Sequence, residues 1–191
     1  MKPAAQTDIP RAELAQIIET VAPFDAIEAV HQADILGWLG SAREIYRRVK
    51  PAIPSKHLVV YAAIIDPARS QLYLIRHRKS GLWLPTGGHV DPGEPPFAAA
   101  QRELFEETGR ALPAASEQPL FTSVSETVGD AAHKHVDVTL WYGFAAQAGE
   151  AFAIDAEEAD GGAWFDLSGL AEIACDPCTA RFMSKVSGLL S

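Results

Sequence analysis

Cysteine is nearly absent: the 191 residues hold two, Cys175 and Cys178, in the sequence CDPC. A tetrahedral zinc site needs four ligands, and no second pair exists to complete one. A thioredoxin-like redox pair opens a helix after an early strand, whereas this pair sits near the carboxyl end. The two therefore read as reduced thiols near the start of a terminal helix. Positive charge is scarce as well. Lys and Arg number 16 against 25 Asp and Glu, for a net charge of −9. Affinity for duplex nucleic acid comes from neutralising phosphates, so that partner is not expected. Long apolar runs are missing. The longest, Leu58 to Ile65, is far short of the roughly 20 residues of a membrane span. Met1 to Pro10 has no apolar core of the signal-peptide kind, so the expected location is the cytoplasm, with no membrane partner. Neither an internal repeat nor a low-complexity tract is present.

What remains is globular in composition, 48% apolar and 21% charged, with a length that suits one domain and a small extension. The first fifty residues read as helix. Leu14, Ile17, Ile18 and Val21 share one face, and Pro23 ends that segment. Asp25 offers an N-cap, with Glu28 in capping-box position. The helix beyond it, to about Gly40, is apolar on more than one face (Ile27, Val30, Ile35, Leu36, Trp38, Leu39), which predicts packing between two surfaces. A basic stretch from Arg43 to Lys50 follows, and Pro51 and Pro54 break the helix. From residue 57 the texture changes. Leu58–Ile65 and Gln71–His77 form a predicted hairpin across the turn at 66–70. A Gly- and Pro-rich loop, Gly81 to Glu94, leads into a helix from Pro95 to Thr108, which Gly109 stops. Strands at about 119–127, 134–146 and 162–166 and two short helices complete the chain. This order predicts an α/β fold with a mixed sheet and helices on both faces.

The chemistry lies between Gly87 and Gly109. On a helix, Glu103, Glu106 and Glu107 fall on one strip, beside an apolar strip of Phe97, Ala100 and Leu104. Three crowded carboxylates beside a docked face suit Mg²⁺ or Mn²⁺; alone they also fit a solvated acidic face. The side-chain-free Gly87 and Gly88 just upstream let backbone approach a metal or a phosphate.

Gly88, five residues, Glu94, seven residues, then Arg102-Glu103-Leu104-Phe105-Glu106-Glu107-Thr108-Gly109 resembles the Nudix box, G-x5-E-x7-R-E-U-x-E-E-x-G-U, at residues 88–110. Every fixed position matches. Arg110 departs from the bulky aliphatic residue expected there, and Trp83-Leu84-Pro85-Thr86-Gly87-Gly88 has its proline one place early. The resemblance covers 55–191. It implies a Nudix-type α/β/α sandwich with a mixed sheet at 55–191, preceded by a helical extension at 1–54. It also implies a Mg²⁺-dependent pyrophosphohydrolase, in which a metal-bound water attacks phosphorus in a nucleoside diphosphate linked to another moiety. By position, Glu103, Glu106, Glu107 and the Gly88 carbonyl would hold metal, and Glu94 would pair with Arg102 to fix loop against helix.

Further candidates are Arg76 and Arg78 for phosphate, Trp83 and Trp141 for base stacking, and His133, His135 and Asp137, which alternate along one side of a strand. Glu126, Glu157 and Glu158 are candidates for a distal base. A non-catalytic nucleotide sensor of the same fold is the alternative, although so much negative charge serves a binder poorly. Self-association through the amino-terminal helices, giving a homodimer, is compatible with either. The substrate is a small nucleotide of unassigned kind, since Ser123 to Val128 carries neither the proline nor the tyrosine that mark two of the family's substrate classes.

Overall fold

The computed structural model describes residues 8–50, 53–128 and 134–189. Two helices, α1 (Arg11–Glu19) and α2 (Ala26–Ser41), precede β1 (Lys56–Asp66), β2 (Gln71–His77), β3 (Trp83–Leu84) and β4 (Thr86–His89). Then come α3 (Pro96–Thr108), β5 (Phe121–Glu126), β6 (Val136–Ala145), β7 (Ala159–Phe165), α4 (Leu167–Leu170) and α5 (Thr179–Leu189).

The sheet is mixed, as expected. β1 runs parallel to β6, from Lys56 opposite Val136 to Ile65 opposite Ala145, and β5 closes that side antiparallel to β6. On its other edge β1 meets two strands in succession. Its end pairs with β2 through Ile64 and Tyr73, and its start pairs with β4, from Val59 opposite His89 to Ala62 opposite Thr86. β2 in turn holds β3 and β7. The stretch 81–94, expected as loop, therefore contains two short strands in different ladders. Pro85, with no N–H to donate, sits where the chain leaves the β2 ladder for the β1 ladder. The displaced proline of the motif thus marks a strand switch.

Alternation along β1 divides the interior. Leu58, Val60, Ala62 and Ile64 pack with Leu14, Ile18, Ile35 and Leu39 of α1 and α2 and with Ala99, Ala100 and Leu104 of α3. Ala63 and Ile65 face the other way, onto Trp141, Phe182, Met183 and Val186. Helices cover both faces, giving the α/β/α sandwich.

Two local expectations for the amino-terminal helices are corrected. The buried side of α2 is Glu28, Ile35 and Leu39, while Ile27 and Val30 are exposed, so its first turns touch one surface and not two. The helix ends at Ser41, close to the expected Gly40, but the basic stretch beyond it is not helical, so the prolines do not break it: Ala42 is extended, and Arg11 of α1 donates to the carbonyls of Leu39, Ala42 and Arg43, closing the end of α2. Asp25 caps α2 through the Glu28 N–H at 2.8 Å and pairs with Arg181 of α5. Glu28 completes the box one residue further out, on the Phe24 N–H. Among the described residues, no helix is long and apolar enough to cross a membrane.

Candidate active site

β4 and α3 build the site together. Gly87 lies against β1 with φ +154°, and a Cβ there would sit 2.2 Å from the Val60 carbonyl oxygen. Its N–H donates to Glu107 Oε2 at 2.8 Å. At Gly88 a Cβ would stand 2.6 Å from the Glu103 carboxyl carbon, so that glycine is the floor on which the Glu103 carboxylate rests. Pro96 opens α3, and Gly109, left-handed at φ +68°, ends it as expected. Burying Ala99, Ala100, Leu104 and Thr108 turns the glutamate strip toward β4.

Arg102 organises the carboxylates. Its guanidinium forks onto Glu94, with Nε to Oε1 and Nη2 to Oε2 both at 2.8 Å. Nη2 also reaches the His89 carbonyl at 3.0 Å, and Nη1 donates to Glu103 at 2.7 Å and to Glu106 at 3.1 Å. One cation thus fixes the loop and holds two of the three glutamates. Among the described residues, Glu107 has no such partner. Burial pushes its carboxyl up to about 8, against the pull of the Gly87 N–H and with repulsion from Glu103. Burial raises Glu103 too, more than Arg102 lowers it. The largely buried Glu103 and the buried Glu107, with the exposed Glu106 on the same strip and a floor with no side chain, form an all-oxygen set of the kind hard divalent ions take. The residues present therefore fit Mg²⁺ or Mn²⁺. Arg110, at the aliphatic position of the motif, lies over the Phe152 ring at 5.4 Å and pairs with Glu150 at 2.7 Å, so its stem covers apolar surface there.

The remaining candidates divide. Trp141 is fully buried, its Nε1 donating to Ser123 Oγ and its ring stacked on Phe182, so it is core and no base platform. Trp83 is half-buried with its ring edge-on to Phe165. Arg76 is exposed on β2, and Arg78 is paired with Asp160 at 2.7 Å. Glu126 ends β5, paired with Lys134 at 3.3 Å. Asp155 donates its N–H to the Glu107 carbonyl, which brings the 155–158 segment beside α3. Within that segment Glu157 is exposed, and Glu158 and Asp155 are the carboxylates that repel Glu107. His133 lies outside the described residues. His135 and Asp137 do share a side, where they meet His57 of β1 and His89 of β4. Those two histidines were missed, because only the β1–β4 and β1–β6 pairings bring them within reach. Arg47, within the basic stretch 43–50, faces Asp137, Glu103 and Asp91, and burial lowers its pKa. Burial and Asp176 push the Cys178 thiol up to about 11, which keeps it protonated and unreactive.

Comparison with known proteins agrees with this geometry. The NUDIX domain family model matches residues 55–185. A MutT NUDIX hydrolase from Burkholderia pseudomallei is 25% identical, with a TM-score of 0.52 over 69% of this chain and 98% of that one. The dihydroneopterin triphosphate pyrophosphohydrolase of E. coli shares the fold at 17% identity, with a TM-score of 0.56 over 74% and 97%. So does a NUDIX-family hydrolase from Clostridium perfringens, at 20% identity and a TM-score of 0.52 over 71% and 98%. No curated protein matches the sequence. With the box complete, Glu103 and Glu107 seated on Gly88 and Gly87, and the family model spanning the sheet and its helices, the chain belongs to the NUDIX family of hydrolases.

Proposed function

We propose that this protein is a Mg²⁺-dependent cytoplasmic pyrophosphohydrolase that cleaves a nucleoside diphosphate linked to another moiety, whether a nucleoside triphosphate or another nucleotide derivative. The observation that carries the reading is the seating of Glu103 and Glu107 against two glycines whose Cβ atoms would collide with their surroundings. Glu103, Glu106, Glu107 and the Gly88 carbonyl would hold Mg²⁺, which when bound acidifies water and neutralises phosphate charge. Arg102 keeps Glu103 and Glu106 in place and ties them through Glu94 to the loop. The Gly87 N–H fixes one Glu107 oxygen and leaves the other free to act. Of the distal-base candidates, Glu158 is the one whose charge reaches Glu107, whereas Glu157 is exposed on the same segment and Glu126 is held by Lys134. Arg76 and Arg78 are the cations proposed for substrate phosphate, with Trp83 nearby on β3.

The test is a panel of nucleoside triphosphates, sugar nucleotides and dinucleoside polyphosphates, assayed for phosphate or pyrophosphate release with and without Mg²⁺. Turnover of at least one should depend on Mg²⁺ and fall about 10²-fold or more in Glu106→Gln and Glu107→Gln, the loss typical of a positioned charge-stabilising group. Full activity in both variants, or in excess chelator, would refute the assignment.

A further inference from the structure

We propose that His57, His89, His135 and Asp137 form a second metal site, of the zinc class and separate in ligand chemistry from the glutamates of the box. His57 and Asp137 are direct neighbours across the parallel β1–β6 pair, and His89 ends β4 opposite Val59 of β1. His135 stands two residues before Asp137, on the same side of its strand. Their donor atoms all lie within 4.8 Å of one another. His57 Nε2 is 3.0 Å from His89 Nε2 and 3.6 Å from Asp137 Oδ1, and His135 Nε2 is 3.2 Å from that same oxygen. Ligands about 2.0–2.1 Å from a tetrahedral ion stand roughly 3.3 Å apart, so these separations are already close to those of a ligand set.

The surroundings are those of metal-binding histidines. His57 Nδ1 is 2.8 Å from the Pro54 carbonyl, which as acceptor puts the ring proton on Nδ1 and leaves the Nε2 lone pair facing the cluster. His135 Nδ1 lies 3.3 Å from Thr127 Oγ1, again turning Nε2 inward. Hydrogen bonding alone accounts for the cluster poorly. With its proton on Nδ1, His57 Nε2 accepts from His89 Nε2–H, but Asp137 Oδ1, a buried acceptor beside both His57 and His135, takes no well-formed hydrogen bond. One cation satisfies all four groups. Imidazole-rich donors select Zn²⁺-like ions over Mg²⁺, and four protein ligands leave little room for substrate, so the ion is structural. Such an ion would clamp the starts of β1 and β6 to the end of β4, one residue from Gly88.

Co²⁺ is the probe. The full chain, stripped with chelator and titrated with Co²⁺, should develop the intense visible absorption of a tetrahedral nitrogen-rich complex, saturating near one equivalent. Zn²⁺ should abolish it and excess Mg²⁺ should not. Absorption and a Zn²⁺-dependent rise in Tm should persist in Glu106→Gln and Glu107→Gln, so failure of the proposed hydrolysis and failure of this site are read separately. Both should disappear in Asp137→Asn and in the half-buried His135→Gln, with circular dichroism showing which variants are folded. Only weak six-coordinate absorption in the wild-type chain, or competition by Mg²⁺, overturns the site without recourse to any variant. So does absorption that survives in folded Asp137→Asn and His135→Gln.

Discussion

Gly87 and Gly88 are adjacent and chemically identical, yet the surroundings give them different work. A methyl at Gly87 would meet the Val60 carbonyl, a backbone atom that cannot move without disturbing β1, and would have to hold φ +154°. A methyl at Gly88 would meet the free end of a glutamate, which can swing aside. Gly87→Ala should therefore lower Tm markedly, whereas Gly88→Ala should fold nearly as well as wild type and lose about 10²-fold in hydrolysis because Glu103 is displaced. Thermal melts beside turnover measurements check both, and equal effects on stability would contradict the difference in contacts. At this scale the box was fully legible in the sequence, since its residues lie within one loop and one helix. His57, His89 and Arg47 were not, since each is brought to its neighbours by pairing or packing across tens of residues.

Among the elements, most were read to within a few residues, the short last strand and the two closing helices included, and β3 and β4 were not. β2 spans the predicted residues, and α3 starts one residue late. β3 and β4 were hidden because so few residues, rich in glycine and proline, show no period of two; their pairing is set by β1 and β2. The buried side of α2 was misjudged for a related reason: its apolar residues surround the helix, and only the position of β5 decides which are covered. Glu28, read in the sequence as a capping-box residue alone, is as fully buried as Ile35. It accepts from Thr122 N–H of β5 at 3.0 Å and from Lys185 Nζ of α5 at 2.9 and 3.1 Å, joining three elements through one carboxylate. Removing one partner of a buried pair strands the other, at a cost of about 3–5 kcal/mol. Lys185→Met should lose that much in urea denaturation. The double variant with Glu28→Gln should recover part of it, because the amide no longer carries charge and its one oxygen still accepts from the Thr122 N–H, although its NH2 then faces the Phe24 N–H. A double variant no more stable than the single one would show that Glu28 does not depend on Lys185.

For the whole molecule, the question is how far residues 1–54 stand apart from the box-bearing remainder. They lie outside the family match, and a boundary near 54 is our proposal from the change in sequence texture. The packing ties the two parts closely. Leu14, Ile18, Ile35, Leu39, Ile45 and Tyr46 are buried in the same cluster as Val60, Ile64 and Leu104. The Leu58 N–H donates to the Ile45 carbonyl, and Lys185 reaches Glu28 from the far end of the chain. Burying a large apolar side chain contributes about 1.5–3 kcal/mol. Six of them rival the roughly 5–15 kcal/mol by which a whole domain is stable. Deleting 1–54 would also uncover their partners as one apolar patch and leave Lys185 facing no carboxylate. The truncated chain should therefore be recovered aggregated, or as a species without a cooperative melt. Recovery as a folded monomer by gel filtration, with wild-type Mg²⁺-dependent turnover, would show instead that the extension is an accessory. The same experiment bears on Arg47, a cation of this segment that faces Glu103 and Asp137, because a folded but weakly active truncation would have lost it.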